Sequence, residues 1–238
     1  MGLPTLAVKT YEAELPSNEV VVEYRQYTAK EERALLVANE SKDENQQLRA
    51  MLNLVDACCL TEGIEAIKLP SIDLQWLFLQ IRINSIGNEV EIPMKCTNEE
   101  CGFEYNVKFD LNDAKIMKKH DHNLKFNLTE DIGIEFKLPS AEDSLATKSE
   151  TETEQFYKIL ERCVVMVWDK NGVYKPGVDF NEEQISEFIG TIPQMDFEKM
   201  AQKVFVDSPQ MVFEKTITCP KCGHVEEMKV EGLLNFFS

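Results

Sequence analysis

An α+β fold, with a β-ribbon cut in two by a long helical insert, is what this chain predicts, and three observations carry that reading. Two close cysteine pairs stand far apart in the sequence, Cys96 with Cys101 and Cys219 with Cys222. Each pair is flanked by alternating, β-branched and aromatic runs: Glu89–Lys95 and Phe103–Phe109 around the first, Met211–Ile217 and Val225–Val230 around the second. Such runs on either side of a tight turn read as hairpin strands. Before and between the hairpins, apolar residues recur largely at helical spacing.

The elements follow in order. Leu6–Leu15 and Val20–Tyr24, separated by Pro16-Ser17-Asn18, predict an N-terminal β-hairpin. Thr28 with Glu31 three residues later is a capping box, opening a helix that carries Leu35, Leu36 and Ala38 and fades at Asn39-Glu40-Ser41. Leu48, Met51, Leu52, Val55, Cys58 and Cys59 form the stripe of a second helix, which places both cysteines in the core. A third helix starts at Leu69–Asp73 with Ser71 or Asp73 as its cap, is apolar nearly all round and ends at Gly87.

Past the first cysteine pair, Leu124–Leu128 and Gly133–Leu138 read as a hairpin around Thr129-Glu130-Asp131. Ser140–Glu154 reads as a polar, mobile loop, and Phe156, Ile159, Leu160, Cys163, Val164, Val167 and Trp168 as one long amphipathic helix. Asp169-Lys170-Asn171-Gly172 is a turn, and Asn181 caps a short helix with Ile185, Phe188 and Ile189. A last helix begins over Pro193–Asp196, points Phe197, Met200, Ala201, Val204 and Phe205 inward, and stops at Ser208-Pro209. The expected division is therefore residues 1–88 as an N-terminal hairpin and helical half, 89–110 with 211–238 as the split ribbon, and 111–210 as an inserted hairpin and helical half. One compact domain overall is the alternative.

Cysteine sulfur suits zinc, and turns closing over two to four residues aim both thiols of a pair at one ion. The expected cofactor is one structural Zn²⁺ per chain, held by Cys96, Cys101, Cys219 and Cys222. Unliganded thiols or disulfides are the bland alternatives, and His224, two residues past Cys222, could replace a thiolate, although a neighbouring or solvated role suits it better. Four thiolates fill a tetrahedron and leave no position for a catalytic water. No phosphate-cradling glycine loop, GxSxG elbow or HExxH motif is present, so nothing points to an enzyme. His120 and His122 lie in a polar Lys/Asp segment and read as solvated.

A net charge of −17 argues against a sequence-independent grip on nucleic acid, which needs clustered Lys and Arg. The one short basic cluster, Lys115, Lys118, Lys119 and His120, is surrounded by acid. The start Met1-Gly2-Leu3-Pro4-Thr5 gives no signal-peptide pattern, and the longest apolar runs are too short to span a bilayer. Seven cysteines without a secretory signal suit a reducing compartment, where metal ligation is favoured over disulfides. The final residues Leu233, Leu234, Phe236 and Phe237 are unusually apolar for a terminus and read either as core or as a partner anchor.

Tyr24–Leu36 is followed by Leu69–Leu74, Leu77-Phe78-Leu79, Ile81-Arg82 and Ser85-Ile86-Gly87, then by Cys219–Gly223 and Glu231–Phe237. In order and spacing these segments resemble the baseplate hub assembly protein family of T-even-type contractile-tailed bacteriophages. The likeness covers most of residues 20–110, with scattered support to the C-terminus, and Arg82, Ser85 and Gly87 are its defining cluster. Those three residues also fit an ordinary helix end with a glycine stop. The resemblance implies a non-enzymatic protein that helps build the central hub of the tail baseplate through contacts with hub proteins. It implies a place in the host cytoplasm during assembly, with retention in the virion tail left open. Metal binding rests on the four cysteines and is not carried over from the family. The rival reading is a zinc-ribbon adaptor in transcription or another complex, which Glu99, Glu100, Glu226 and Glu227 around the knuckles disfavour.

Overall fold

Among the described residues seven α-helices and several small antiparallel sheets alternate along the chain, a mixed α+β arrangement. The computed structural model describes residues 6–41, 43–117, 123–147 and 151–231. The chain divides into two units, Met1–Ala66 with Ile72–Met117 and Gln210–Ser238 as the first, and Ile67–Ser71 with Lys118–Pro209 as the second.

The first unit opens with β1 (Thr10–Glu14) paired antiparallel to β2 (Val21–Arg25). Alternation along β2 buries Val22 and Tyr24. The capping box forms at α1 (Ala29–Glu40), where the Glu31 carboxylate accepts from the Thr28 backbone N–H at 2.7 Å and its hydroxyl at 2.6 Å. Helix α2 (Glu44–Cys58) starts at Asp43, whose carboxylate accepts from the Asn45 N–H, and buries Met51, Leu52, Leu54, Val55 and Cys58. Cys59 departs from the expected core position. The chain leaves helical geometry there, pairs with Tyr24 as an isolated bridge, and Cys59 is only half-buried.

Helix α3 (Ser71–Ile86) buries Ile72, Leu74, Leu77, Phe78, Leu79 and Ile81, as an all-round apolar sequence requires. Asp73 does not cap it. Its carboxylate is fully buried and accepts from the Ser17 backbone N–H at 2.8 Å and from the Ser17 hydroxyl, tying the β1–β2 turn to α3. Gly87 ends the helix at φ 105°, where its carbonyl accepts from the Arg82 guanidinium; Ser85 accepts from the Tyr27 N–H. Two hairpins complete this unit: β3 (Glu89–Lys95) with β4 (Glu104–Asp110), and β10 (Gln210–Thr218) with β11 (Val225–Glu231). Lys115 stands in a short strand, β5 (Lys115–Met117), on the other edge of β10.

The second unit holds a four-stranded antiparallel sheet in the order β6 (Lys125–Asn127), β7 (Gly133–Phe136), β8 (Val164–Asp169), β9 (Gly172–Tyr174). The expected long helix through Trp168 is corrected here. Helix α5 (Glu152–Arg162) stops at Cys163, and the β-branched run from Val164 turns into β8, where β7 supplies the pairing partner. The expected loop Ser140–Glu154 is also corrected over its described part. Ser140 caps α4 (Ala141–Ala146), and Ser140, Asp143 and Thr147 are buried. Asp143 accepts from the Ser140 hydroxyl at 2.6 Å and pairs with Lys137 at 2.7 Å and Arg162 at 3.6 Å, which is why so polar a stretch is folded.

Helix α6 (Glu182–Gly190) begins at Asn181 in a capping box with Gln184. Helix α7 (Gln194–Ala201) continues into a wide π-type turn over Gln202–Val206. Ile134, Phe136, Leu160, Cys163, Val164, Ile185, Ile189, Phe197, Met200 and Val204 belong to one buried cluster, so this unit has a core of its own.

Candidate metal centre

The first knuckle is the β3–β4 tip. The Cys96 N–H donates to the Phe103 carbonyl at 2.8 Å, continuing the hairpin pairing, and the Asn98 carbonyl accepts from the N–H groups of Cys101 (2.9 Å) and Gly102 (3.1 Å). The Asn98 side chain accepts from the Glu100 N–H at 3.0 Å, an Asx turn that closes the knuckle. The second knuckle is the β10–β11 tip. There the Cys219 N–H donates to the His224 carbonyl at 2.8 Å, and the Gly223 N–H returns to the Cys219 carbonyl at 2.9 Å. A glycine follows the second cysteine in both, with φ of 52° at Gly102 and 72° at Gly223. A side chain there would strain the turn that points the two thiols inward.

The structure brings all four expected cysteines together, with their sulfurs within 4.8 Å of one another. Among the described residues this is the one such group of histidine, cysteine and carboxylate donors. Two approaches cross from knuckle to knuckle, Cys96 to Cys222 at 3.7 Å and Cys101 to Cys219 at 3.9 Å. A tetrahedral zinc with bonds of about 2.3 Å sets its sulfurs about 3.8 Å apart. A disulfide requires about 2.05 Å. The donor set and its spacing thus fit a tetrahedral thiolate ion and not a disulfide. Cys96 and Cys219 are buried, Cys101 is half-buried and Cys222 is exposed.

Burial pushes the Cys96 thiol up to about 12. Burial also raises Cys219, but the N–H groups of Cys222 and Lys221 and the neighbouring thiols outweigh it and bring this thiol to about 7. The N–H groups of its own knuckle thus favour the Cys219 thiolate, whereas burial disfavours that of Cys96.

Two contacts across the knuckles were not legible in the sequence. The Thr97 hydroxyl donates to Glu226 Oε2 at 2.5 Å, and Lys221 Nζ lies 5.5 Å from the centre of the Phe103 ring, which stacks on Tyr105. The organising role of Asn98 carried a signal, since asparagine between two turn cysteines favours an Asx turn. His224 is exposed and contributes its backbone carbonyl. His120, His122, Lys118, Lys119 and the apolar segment 233–237 lie outside the described residues.

Helices, small antiparallel sheets and a cluster of four thiols spaced compatibly with a metal ion are what the described residues present. The family model described as "T4 bacteriophage base plate protein" matches residues 8–238. The chain belongs to that family, and so to the bacteriophage baseplate proteins, as the resemblance implied. Searches of curated proteins and of solved structures found no match. Among the described residues no helix is long and apolar enough to cross a membrane.

Proposed function

We propose that this chain is an assembly protein of the central hub of the tail baseplate, acting through protein–protein contacts and braced by one structural zinc on Cys96, Cys101, Cys219 and Cys222. The observation that carries the reading is the gathering of four thiols within 4.8 Å of one another, with two cross-knuckle pairs, 126 and 118 residues apart in sequence, at 3.7 and 3.9 Å. An ion at that position makes a zinc ribbon of residues 89–110 and 211–238, with 1–88 and the insert 111–210 as its two attached halves. When bound, zinc supplies a cross-link and no chemistry, because four thiolates leave no open position. The chain's own part is to aim the sulfurs, through the Asn98 turn and the two glycines, and to keep two of them from solvent. The hub role extends the family assignment by the ordered segments around Tyr24–Leu36 and Arg82–Gly87. The working place is then the host cytoplasm during assembly, and the partners are hub proteins and not nucleic acid.

Metal analysis of protein purified without chelator should return one zinc per chain, and less than about a tenth of an equivalent would remove the zinc assignment. Co-expression with the individual baseplate proteins should recover hub subunits on the tagged chain. Recovery of wedge or tube proteins alone would overturn the hub assignment while leaving the metal intact.

A further inference from the structure

Helix α1 presents an outward face that differs from an ordinary solvated one. Ala29, Arg33, Leu36, Val37 and Glu40 fall along one line of the helix, and all are exposed. Leu36 is 57 % and Val37 60 % exposed, side by side at the middle of that line. Ala38, on the opposite side, is the buried residue of the helix. A cation, Arg33, stands one turn before the apolar pair, and an anion, Glu40, one turn after it.

This arrangement is complementary to itself. Turning a second α1 by half a revolution about an axis between Leu36 and Val37 sets the helices antiparallel. Leu36 then meets Val37 of the second copy, and Arg33 meets its Glu40 at both ends. A two-fold contact repeats every pairing in this way, so one apolar pair and one charge pair become two of each. A parallel approach would instead place Arg33 against Arg33 and Glu40 against Glu40.

We propose that the outward face of α1 docks on the same face of a second copy of this chain, antiparallel, about a two-fold axis between Leu36 and Val37. One short helix pair covers less surface than a stable dimer needs, about 1,200 Å² or more. The net charge of −17 opposes the approach as well. The contact is accordingly weak in isolation, and it strengthens where several copies are held close together.

Sedimentation velocity over a concentration series in physiological salt tests it. The parent should move reversibly from monomer to dimer, with dissociation in the micromolar to millimolar range. Arg33→Glu alone and Glu40→Arg alone should each weaken dimerisation by about tenfold or more, since each sets like charges together at both ends. The double variant Arg33→Glu/Glu40→Arg should restore it, because the pairing is merely reversed. Circular dichroism on every variant confirms that α1 stays folded. A parent that remains monomeric at the highest soluble concentration would overturn the proposal, and so would a double variant no better than the singles.

Discussion

Replacing Cys219 with alanine removes the most buried of the four thiols, 2 % exposed, and with it the closed ligand set. Zinc held by such a set contributes about 10–16 kcal/mol of apparent binding at neutral pH. The cross-knuckle pairs close loops of 118 and 126 residues, and closing chain of that length costs about 4 kcal/mol of entropy. Even if the ion alone offset that cost, about 6–12 kcal/mol would remain. That rivals the whole stability of an ordinary domain, about 5–15 kcal/mol. The unit containing the ribbon should therefore melt lower by more than about 10 °C. Among the described residues the second unit adds no donor to the four-thiol group, and it buries its own core around Ile134, Leu160 and Met200, so it should keep its protection. Hydrogen exchange read by mass spectrometry separates the two. Cys219→Ala, or chelation of the parent, should release β3–β4 and β10–β11 while β7, α5 and α7 remain slow. A Cys219→Ala protein that melts within about 3 °C of the parent, with β10–β11 still protected, would refute a metal-braced ribbon.

Asp143→Ala should cost about 2–3 kcal/mol, low for a buried pair because Lys137 and Arg162 keep some solvent contact; an unchanged melting temperature would count against the buried triad. Burial pushes the Glu31 carboxyl up, but hydrogen bonds from the Thr28 hydroxyl and N–H and the Arg25 guanidinium outweigh it and hold the group at about 2. Its contribution is thus full above the unfolded value near 4.3 and lost as pH falls through about 2, so the stability of Glu31→Gln should trail the parent at neutral pH and converge with it in acid. A gap that stays constant down to that pH would contradict the linkage. Gly133→Ala places a Cβ 2.0 Å from Trp168 Cζ2 and 2.7 Å from the Phe126 carbonyl oxygen, and should destabilise by about 1–3 kcal/mol, with Trp168→Ala restoring only part. A Gly133→Ala protein as stable as the parent would place the Trp168 ring elsewhere.

Sequence signals worked where they were local. Thr28 with Glu31 and Asn181 with Gln184 place helix starts because cap and acceptor lie within one turn. The run from Phe156 to Trp168 failed because its apolar positions satisfy a helix as well as a helix followed by a strand. Val164 and Val167 favour the strand, but what decides it is the free edge of β7, almost thirty residues earlier in the chain. Ser140–Glu154 misled through composition. Its Ser and Asp read as loop residues until Lys137 and Arg162 arrive from flanking elements to neutralise Asp143. Asp73 is the same case, since a carboxylate near a helix start reads as a cap unless Ser17 is known to be beside it.

The candidate centre divides along the same line. Each cysteine pair was legible by itself, since a hairpin tip and a following glycine in the left-handed region are features of a few consecutive residues. Which thiol faces which was not, because that depends on two hairpins meeting. The close approaches run between knuckles, Cys96 to Cys222 and Cys101 to Cys219, so neither hairpin holds a complete ligand set. The four thiols gather only when the strands before the insert and those after it are both in place. Loss or misfolding of either hairpin therefore removes two of the four thiols at once, whatever the state of the second unit's own core.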